Sequence, residues 1–242
     1  MESGVYAAEA ELEATHWWYV GRRQLFAREL ANSGIGRDAA VLDVGSGAGT
    51  NLRMLRELGF LRVTALDYSE EALRFCRDKG FGRLSRGDIC ALPFADGSFD
   101  LVLATDIIEH VDDDLGALGE IRRVLRPGGM ALVSVPAFSQ LWGLQDRVSH
   151  HRRRYRMAPL RSKFERAGLR LSHAFYFNYL MFLPIWIVRR LIERLHIEIE
   201  SETRLISPLV NRVCNAIFRA DVGTAPLLHP PFGVSILVVA GR

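Results

Sequence analysis

With 242 residues, 49% hydrophobic and 24% charged, the chain has the composition of one globular α/β domain with room for a full core. A formal net charge of +3 is too small to point to nucleic acid by charge alone. The three cysteines, Cys76, Cys90 and Cys214, are widely spaced and form no zinc or disulfide pattern, so a reduced, cytoplasmic compartment without metal is expected.

The opening residues lack a basic stretch followed by an apolar run, so no signal peptide is expected. Residues 1–35 read as one or two helices carrying His16-Trp17-Trp18-Tyr19, then Arg22-Arg23 and Phe26. Strands and helices alternate after that, the rhythm of a parallel sheet with crossover helices. The pattern predicts strands over 39–44, 62–67, 82–87, 98–104 and 130–135. Helices fall between them over 49–58, after the cap Ser69 with Glu70 and Glu71 in its first turn, and over 115–125. Arg126-Pro127-Gly128-Gly129 reads as a helix stop and turn. A further amphipathic helix fits 157–167, a sixth strand 170–176 and a last strand 232–240.

Before the last strand lie two helical patterns. One starts near Pro184 with Ile185, Val188, Ile192 and Leu195 on one face. The other is capped by Ser207 with Pro208 at its first position. The chain therefore reads as one domain, 1–242, with an N-terminal helical cap over 1–35 and a helical lid inserted over 179–230. The longest apolar stretch, 179–188, is broken by Pro184 and is too short to span a bilayer.

Val41-Leu42-Asp43-Val44-Gly45-Ser46-Gly47-Ala48-Gly49-Thr50 runs an apolar strand into three alternate glycines and then a helix. Glycine serves where a chain turns sharply and where backbone must approach a ligand. Asp67 closes the next strand, where a carboxylate can receive ribose hydroxyls or cap a helix. A dinucleotide fingerprint would read G-x-G-x-x-G, whereas this turn reads G-x-G-x-G with an acid two residues ahead. That pattern resembles the first motif of the class I S-adenosylmethionine-dependent methyltransferases. Gly87-Asp88, the approach from Leu92-Pro93-Phe94 to Ser98-Phe99-Asp100-Leu101-Val102, and Leu125-Arg126-Pro127-Gly128-Gly129 agree with it in order and spacing.

The resemblance implies a Rossmann-like α/β sheet of seven strands, mostly parallel, with helices on both faces and an antiparallel last strand. It implies S-adenosyl-L-methionine as cofactor. Asp43, Gly45 and Gly47 would then serve its methionine end, Asp67 its ribose, and Asp88 and the backbone at Ile89 its adenine, with Gly49 and Tyr68 also among the cofactor-binding residues. Thr105 and Asp106 would sit beside the methionine part or the transferred methyl. Trp18 and Arg22 either close over the cofactor, with the arginine near its carboxylate, or pack the core. Asp106-Ile107-Ile108-Glu109-His110-Val111 is similar to a family stretch whose plain role is loop packing.

Methyl transfer from a sulfonium asks the protein to align the acceptor, exclude water and, for a hydroxyl, see to a proton. Ser149-His150-His151-Arg152-Arg153-Arg154-Tyr155 follows the fifth strand and is similar to an H-x-R-R-Y stretch in a bacterial subset of the type 11 methyltransferases. His151 is expected as general base or substrate orienter, with Tyr155 as its catalytic companion and His150, Arg154 and Trp142 on the acceptor side. The other reading is a solvated basic loop. The apolar lid suits a small or lipid-like acceptor or a peripheral membrane contact, against ordinary burial on the sheet. The reaction is expected at oxygen, with nitrogen or carbon as alternatives. Nucleic acid is not an expected substrate, because Thr105-Asp106-Ile107-Ile108 replaces the Pro-Pro-aromatic stretch of base methyltransferases. A nicotinamide oxidoreductase and a catalytically silent cofactor-binding partner are the rival readings. Oligomeric state is not legible.

Overall fold

A computed structural model describes residues 10–195 and 207–242. Seven strands form one sheet in the order β3-β2-β1-β4-β5-β7-β6. They are β1 (Ala40–Val44), β2 (Arg62–Asp67), β3 (Leu84–Arg86), β4 (Phe99–Thr105), β5 (Leu125–Pro136), β6 (Arg170–Phe177) and β7 (Ser235–Gly241). β7 runs antiparallel to both β5 and β6, and the pairs among β1 to β5 are parallel. Strand alternation buries both faces: Leu101 and Leu103 of β4 join one core and Val102 and Ala104 the other.

On one face lie α1 (Trp17–Asn32), α2 (Thr50–Glu57), α3 (Glu70–Asp78) and α8 (Pro208–Leu228). On the other, α4 (Asp114–Val124) and α6 (Met157–Arg166) supply Leu118, Ile121, Leu160 and Phe164. α5 (Leu144–Val148) and α7 (Phe182–Arg194) lie in the connections after β5 and β6. Ser69 caps α3 through the Ala72 N–H, and Ser207 caps α8 with Pro208 at its first position, as the spacing predicts.

Two elements depart from expectation. β5 begins at Leu125, five residues early, because Leu125 pairs with Phe99 before a register shift carries the ladder past the Arg-Pro-Gly-Gly turn. α8 is a packing layer of the sheet: Cys214, Phe218, Val222 and Ala225 join Trp17, Leu25, Phe26 and Leu30 of α1 in one core. Trp17 meets Phe218 edge-on at 5.4 Å and Trp18 stacks on it at 5.6 Å. Each such pair adds about 0.5–1.5 kcal/mol beyond burial. Gly21 makes the approach possible, since a Cβ there would lie 2.1 Å from Phe218 Cδ1. α7, by contrast, has no buried residue. Residues 1–9 of the expected cap and 196–206 of the expected lid lie outside the described residues.

Candidate active site

The turn after β1 depends on glycine. Gly45, Gly47 and Gly49 hold φ of 72°, 52° and 89°, the left-handed region where a Cβ is strained. Gly45 and Ser46 donate their N–H groups to the Leu66 carbonyl at 2.8 and 3.1 Å. Asp67 at the tip of β2 takes the Gly47 N–H at 2.9 Å on one oxygen and the Ser69 N–H at 2.8 Å on the other. Burial pushes its carboxyl up, against the pull of those donors. Asp43, fully buried under the turn, accepts from Asn51 Nδ2 at 3.0 Å, and the same amide nitrogen donates to Thr105 Oγ at 2.8 Å. Asn51 thereby ties β1 to β4. An asparagine just inside a helix carries no spacing signal, so sequence reading passes over it.

The N-terminal segment folds onto this turn. Glu13 accepts the Thr50 hydroxyl at 2.6 Å and pairs with Lys79 at 2.7 Å, while Lys79 also reaches the Ala48 carbonyl at 2.6 Å. Trp18 and Arg22 face the cavity above it, and Arg22 pairs with Asp106 at 2.8 Å.

That cavity holds about 610 Å³ and opens along the carboxyl edge of the sheet, where open α/β sheets bind ligands. Its floor is Gly45, Ser46, Gly47, Thr50 and Asn51, with Thr105 and Asp106 at the tip of β4. Its far wall is apolar, from Met181, Ile185, Val188 and Ile192 of α7 and its lead-in to Val210 and Cys214 of α8. Asp106 and Asn178, at the tips of β4 and β6, hold φ of 52° and 57° although neither is glycine. Strain of that kind costs about 1–3 kcal/mol and persists where the surroundings enforce it. The side-chain amide of Asn178 is fully buried, faces the cavity, and has no hydrogen-bond partner on either atom among the described residues. His16 Nε2 and Trp17 Nε1 are in the same position. Burial lowers His16 to about 4, so its ring is neutral. Buried polar atoms left without partners facing a cavity mark where a ligand completes the bonding.

The loop after β5 carries the histidine cluster. Asp146 accepts from His151 Nδ1 at 2.9 Å and from Arg154 at 2.7 and 3.0 Å. Burial alone would raise the Asp146 carboxyl, yet these bonds outweigh it and hold the group well below the usual carboxylate range. An ionised Asp146 can only accept, so Nδ1 of His151 carries the hydrogen, while Nε2 stands 3.9 Å from Glu109 Oε1 and the residue lines the cavity. The following residues fasten the turn after β4. The Arg152 N–H bonds the Glu109 carbonyl at 2.9 Å and its side chain bonds the His110 carbonyl at 2.9 Å and Asp112. Arg153 takes the Val111 and Asp112 carbonyls and pairs with Asp114. Glu109 and His110 thus come to lie against His151, forty residues away in sequence. The His110 and His151 rings meet edge-on at 4.7 Å. Burial and its neighbour lower His110 to about 4, and burial, then Asp106, pushes Glu109 well above the usual range.

Of the residues expected from sequence, Trp18, Arg22, Gly45, Gly47, Thr105, Asp106, His151 and Arg154 line the cavity. Asp67, Tyr68, Asp88 and Ile89 stand at the tips of β2 and β3 outside it, with Tyr68 and Asp88 exposed. The expected catalytic role of Tyr155 is corrected. Its hydroxyl is buried on Asp114 at 2.9 Å and the Ile108 carbonyl at 3.3 Å, with its acidity suppressed by burial and by Asp114. His150 is exposed with φ 56°, and neither it nor Trp142 lines the cavity. The charge of Arg154 is committed to Asp146.

A seven-stranded sheet with an antiparallel last strand and a three-glycine turn over an acid-tipped second strand defines a class I methyltransferase fold with a place for S-adenosylmethionine. Residues 42–133 match the model of the type 11 family, described as a methyltransferase domain. The chain is 37% identical over 151 residues to a malonyl-[acyl-carrier protein] O-methyltransferase of Pectobacterium atrosepticum, covering 60% of this chain and 56% of that one. It is 33% identical over 129 residues to a demethylmenaquinone methyltransferase of Staphylococcus aureus, covering 48% and 54%. The chain thus spans about half the length of the curated relatives it matches. The fold is similar to that solved as a complex of the Haloferax volcanii Trm112 methyltransferase activator with a methyltransferase, with a TM-score of 0.65 and 24% identity over 98% of this chain and 94% of that one. Over residues 42–133 this chain matches the methyltransferase domain of the type 11 family, and its curated relatives over that region are methyltransferases.

Proposed function

We propose that this chain transfers a methyl group from S-adenosylmethionine to an oxygen of a small, lipid-like acceptor. One observation carries the reading: a single cavity joins the glycine turn at one end to the apolar wall of α7 and α8 at the other. The wall continues outside, where Leu183, Trp186, Ile187 and Leu191 of α7 are exposed. Such a face suits the apolar body of the acceptor or the membrane surface that delivers it. Kinship with a malonyl-[acyl-carrier protein] O-methyltransferase supports oxygen as the acceptor atom.

The cofactor supplies a methyl on a cationic sulfur, a leaving group that needs no acid. Bare backbone from Gly45 to Gly47 receives its amino-acid end, with Trp18 and Arg22 above. Asp67 and Tyr68 take the ribose, and Asp88 with the backbone at Ile89 takes the adenine. α1 and α8 exclude water from the cavity. His151, its ring set by Asp146, receives the acceptor hydroxyl on Nε2, and Asn178 holds a second polar group of the acceptor.

Calorimetric titration with S-adenosylmethionine and with NAD tests the cofactor. Incubation with host lipid and metabolite extracts, read by mass spectrometry, tests the transfer. Preference for the methyl donor and a product heavier by one methyl group are expected. Preference for NAD would make the chain an oxidoreductase, and donor binding without any methylated product would make it a silent partner.

A further inference from the structure

Glu109, like Asn178, is fully buried with both polar side-chain atoms unbonded among the described residues. A buried carboxylate without partners is costly to keep charged, and a counter-charge or a proton must relieve it. Nε2 of His151 stands 3.9 Å from Glu109 Oε1. One ligating atom each of Glu109, His110 and His151 lies within 4.8 Å of the others.

We propose that Glu109, His110 and His151 form a site for a divalent transition-metal cation of the zinc type, with its open position facing the acceptor cavity. Two ligands each about 2.1 Å from one ion lie roughly 3–4 Å apart. The Glu109–His151 separation is already in that range, and a ligating atom of His110 lies within 4.8 Å of both. Two imidazoles and one carboxylate are the donor set of zinc, manganese, iron and cobalt sites, not of calcium or magnesium, which take oxygen ligands.

The surroundings are those of a held ligand set. Asp146 accepts from His151 Nδ1 at 2.9 Å, and the backbone of Ser149 takes a hydrogen bond from the His110 ring, so each imidazole is oriented from behind. The backbone closes the cluster as well: the His151 N–H bonds the Asp146 carbonyl at 2.8 Å, and the Arg152 N–H bonds that of Glu109 at 2.9 Å. His110 and His151 line the cavity, whereas Glu109 lies behind them. Three protein ligands and a position open to the cavity are the arrangement of a catalytic metal site rather than a structural one. The proposal deepens the reading above, on which it rests: the acceptor oxygen that His151 receives directly there is received here by the ion His151 holds.

The test uses the whole chain after dialysis against chelator. Zinc is titrated calorimetrically, and cobalt is added to read ligand-field absorption. Titration with S-adenosylhomocysteine on the same samples reports the fold and the cofactor site separately. One zinc per chain is expected, with a cobalt spectrum of tetrahedral or five-coordinate type. In Glu109→Gln, His110→Ala and His151→Ala, zinc affinity should fall at least tenfold while S-adenosylhomocysteine binding stays within twofold. Should Glu109→Gln fail to fold, the two histidine variants and the cobalt spectrum decide. Absence of zinc binding in a chain that binds S-adenosylhomocysteine overturns the metal site alone and leaves a protonated Glu109. Zinc binding at parental affinity in all three variants overturns it too, by placing the ion elsewhere. Failure to bind S-adenosylhomocysteine overturns the proposed function instead.

Discussion

Asn178 holds a left-handed backbone conformation because Asp221 grips the turn, taking the Asn178 N–H at 2.6 Å and the Leu180 N–H at 2.8 Å. Its amide makes no intramolecular bond among the described residues, so removing it costs the fold little. Asn178→Ala should leave cofactor affinity unchanged, lower Tm only through the poorer fit of alanine to the left-handed region, and lower kcat/KM for the acceptor about tenfold or more, the worth of one buried hydrogen bond. Equal kcat/KM would remove Asn178 from the acceptor site. Asp114 sits at the opposite pole, saturated with partners: Tyr155 at 2.9 Å, Lys163 at 2.6 Å and Arg153 at 3.2 Å. Burial alone would raise its carboxyl, but bonds from Lys163 and Tyr155 prevail and hold it below its usual value. A depressed folded pKa stabilises the native state above the ordinary carboxylate pKa of about 4, and that contribution is lost as pH falls through the lower folded value. Asp114→Asn should therefore lower stability at neutral pH by roughly 1–3 kcal/mol and flatten the acid limb of the Tm–pH curve. A curve parallel to the parent's would refute this.

Among the elements, α1 and α8 are the pair on which the site's roof depends. Side-chain bonds stitch their ends together: the Trp17 N–H donates to Asn211 Oδ1 at 2.9 Å, and Asn211 donates to the Thr15 carbonyl at 2.9 Å. Between them Gly21 takes the Phe218 ring against bare backbone. Gly21→Ala should destabilise the chain by about 1–3 kcal/mol in urea unfolding through overpacking. Adding Phe218→Leu should recover part of the loss, because a smaller side chain vacates the space the new methyl needs. No recovery would mean that the helices do not meet at this contact. Of the two readings of the tryptophans, core packing is what the structure shows: Trp17 meets Phe218 edge-on and Trp18 stacks on it, while both also line the cavity.

For the molecule as a whole, the uncovered apolar surface of α7 has the largest consequence. A helix carrying Leu183, Trp186, Ile187, Val188 and Leu191 in the open contributes little to the core, and no helix among the described residues is long and apolar enough to cross a membrane. Burial against the sheet, one of the readings the sequence left open, is only partial: Tyr179, Met181 and Ile185 pack on the core, while the rest of the apolar side of α7 stays open. Under the proposed function it lies at a lipid surface beside the cavity mouth. A Trp186→Ser, Ile187→Ser double variant should then keep the parental Tm and lose flotation with phosphatidylglycerol–phosphatidylethanolamine vesicles. If the parent fails to float, α7 is only a wall for the acceptor.

By itself the sequence determined the order of strands and helices, the three-glycine turn and the acid at the tip of β2, because each is encoded within a few neighbouring residues by periodicity, capping or a backbone angle open only to glycine. It could not decide which polar side chains face the cavity. Glu13 meets Thr50 and Lys79, Asn51 meets Thr105, and Glu109 meets His151 only when strand tips far apart in the chain converge. The same holds in reverse for Tyr155: its place beside His151 in sequence suggested shared chemistry, and packing turned its hydroxyl to Asp114 instead. Spacing along a strand sets which face a side chain takes. What it meets there is set by the tertiary fold, since partners come from elements whose separation in sequence carries no record of their distance in space.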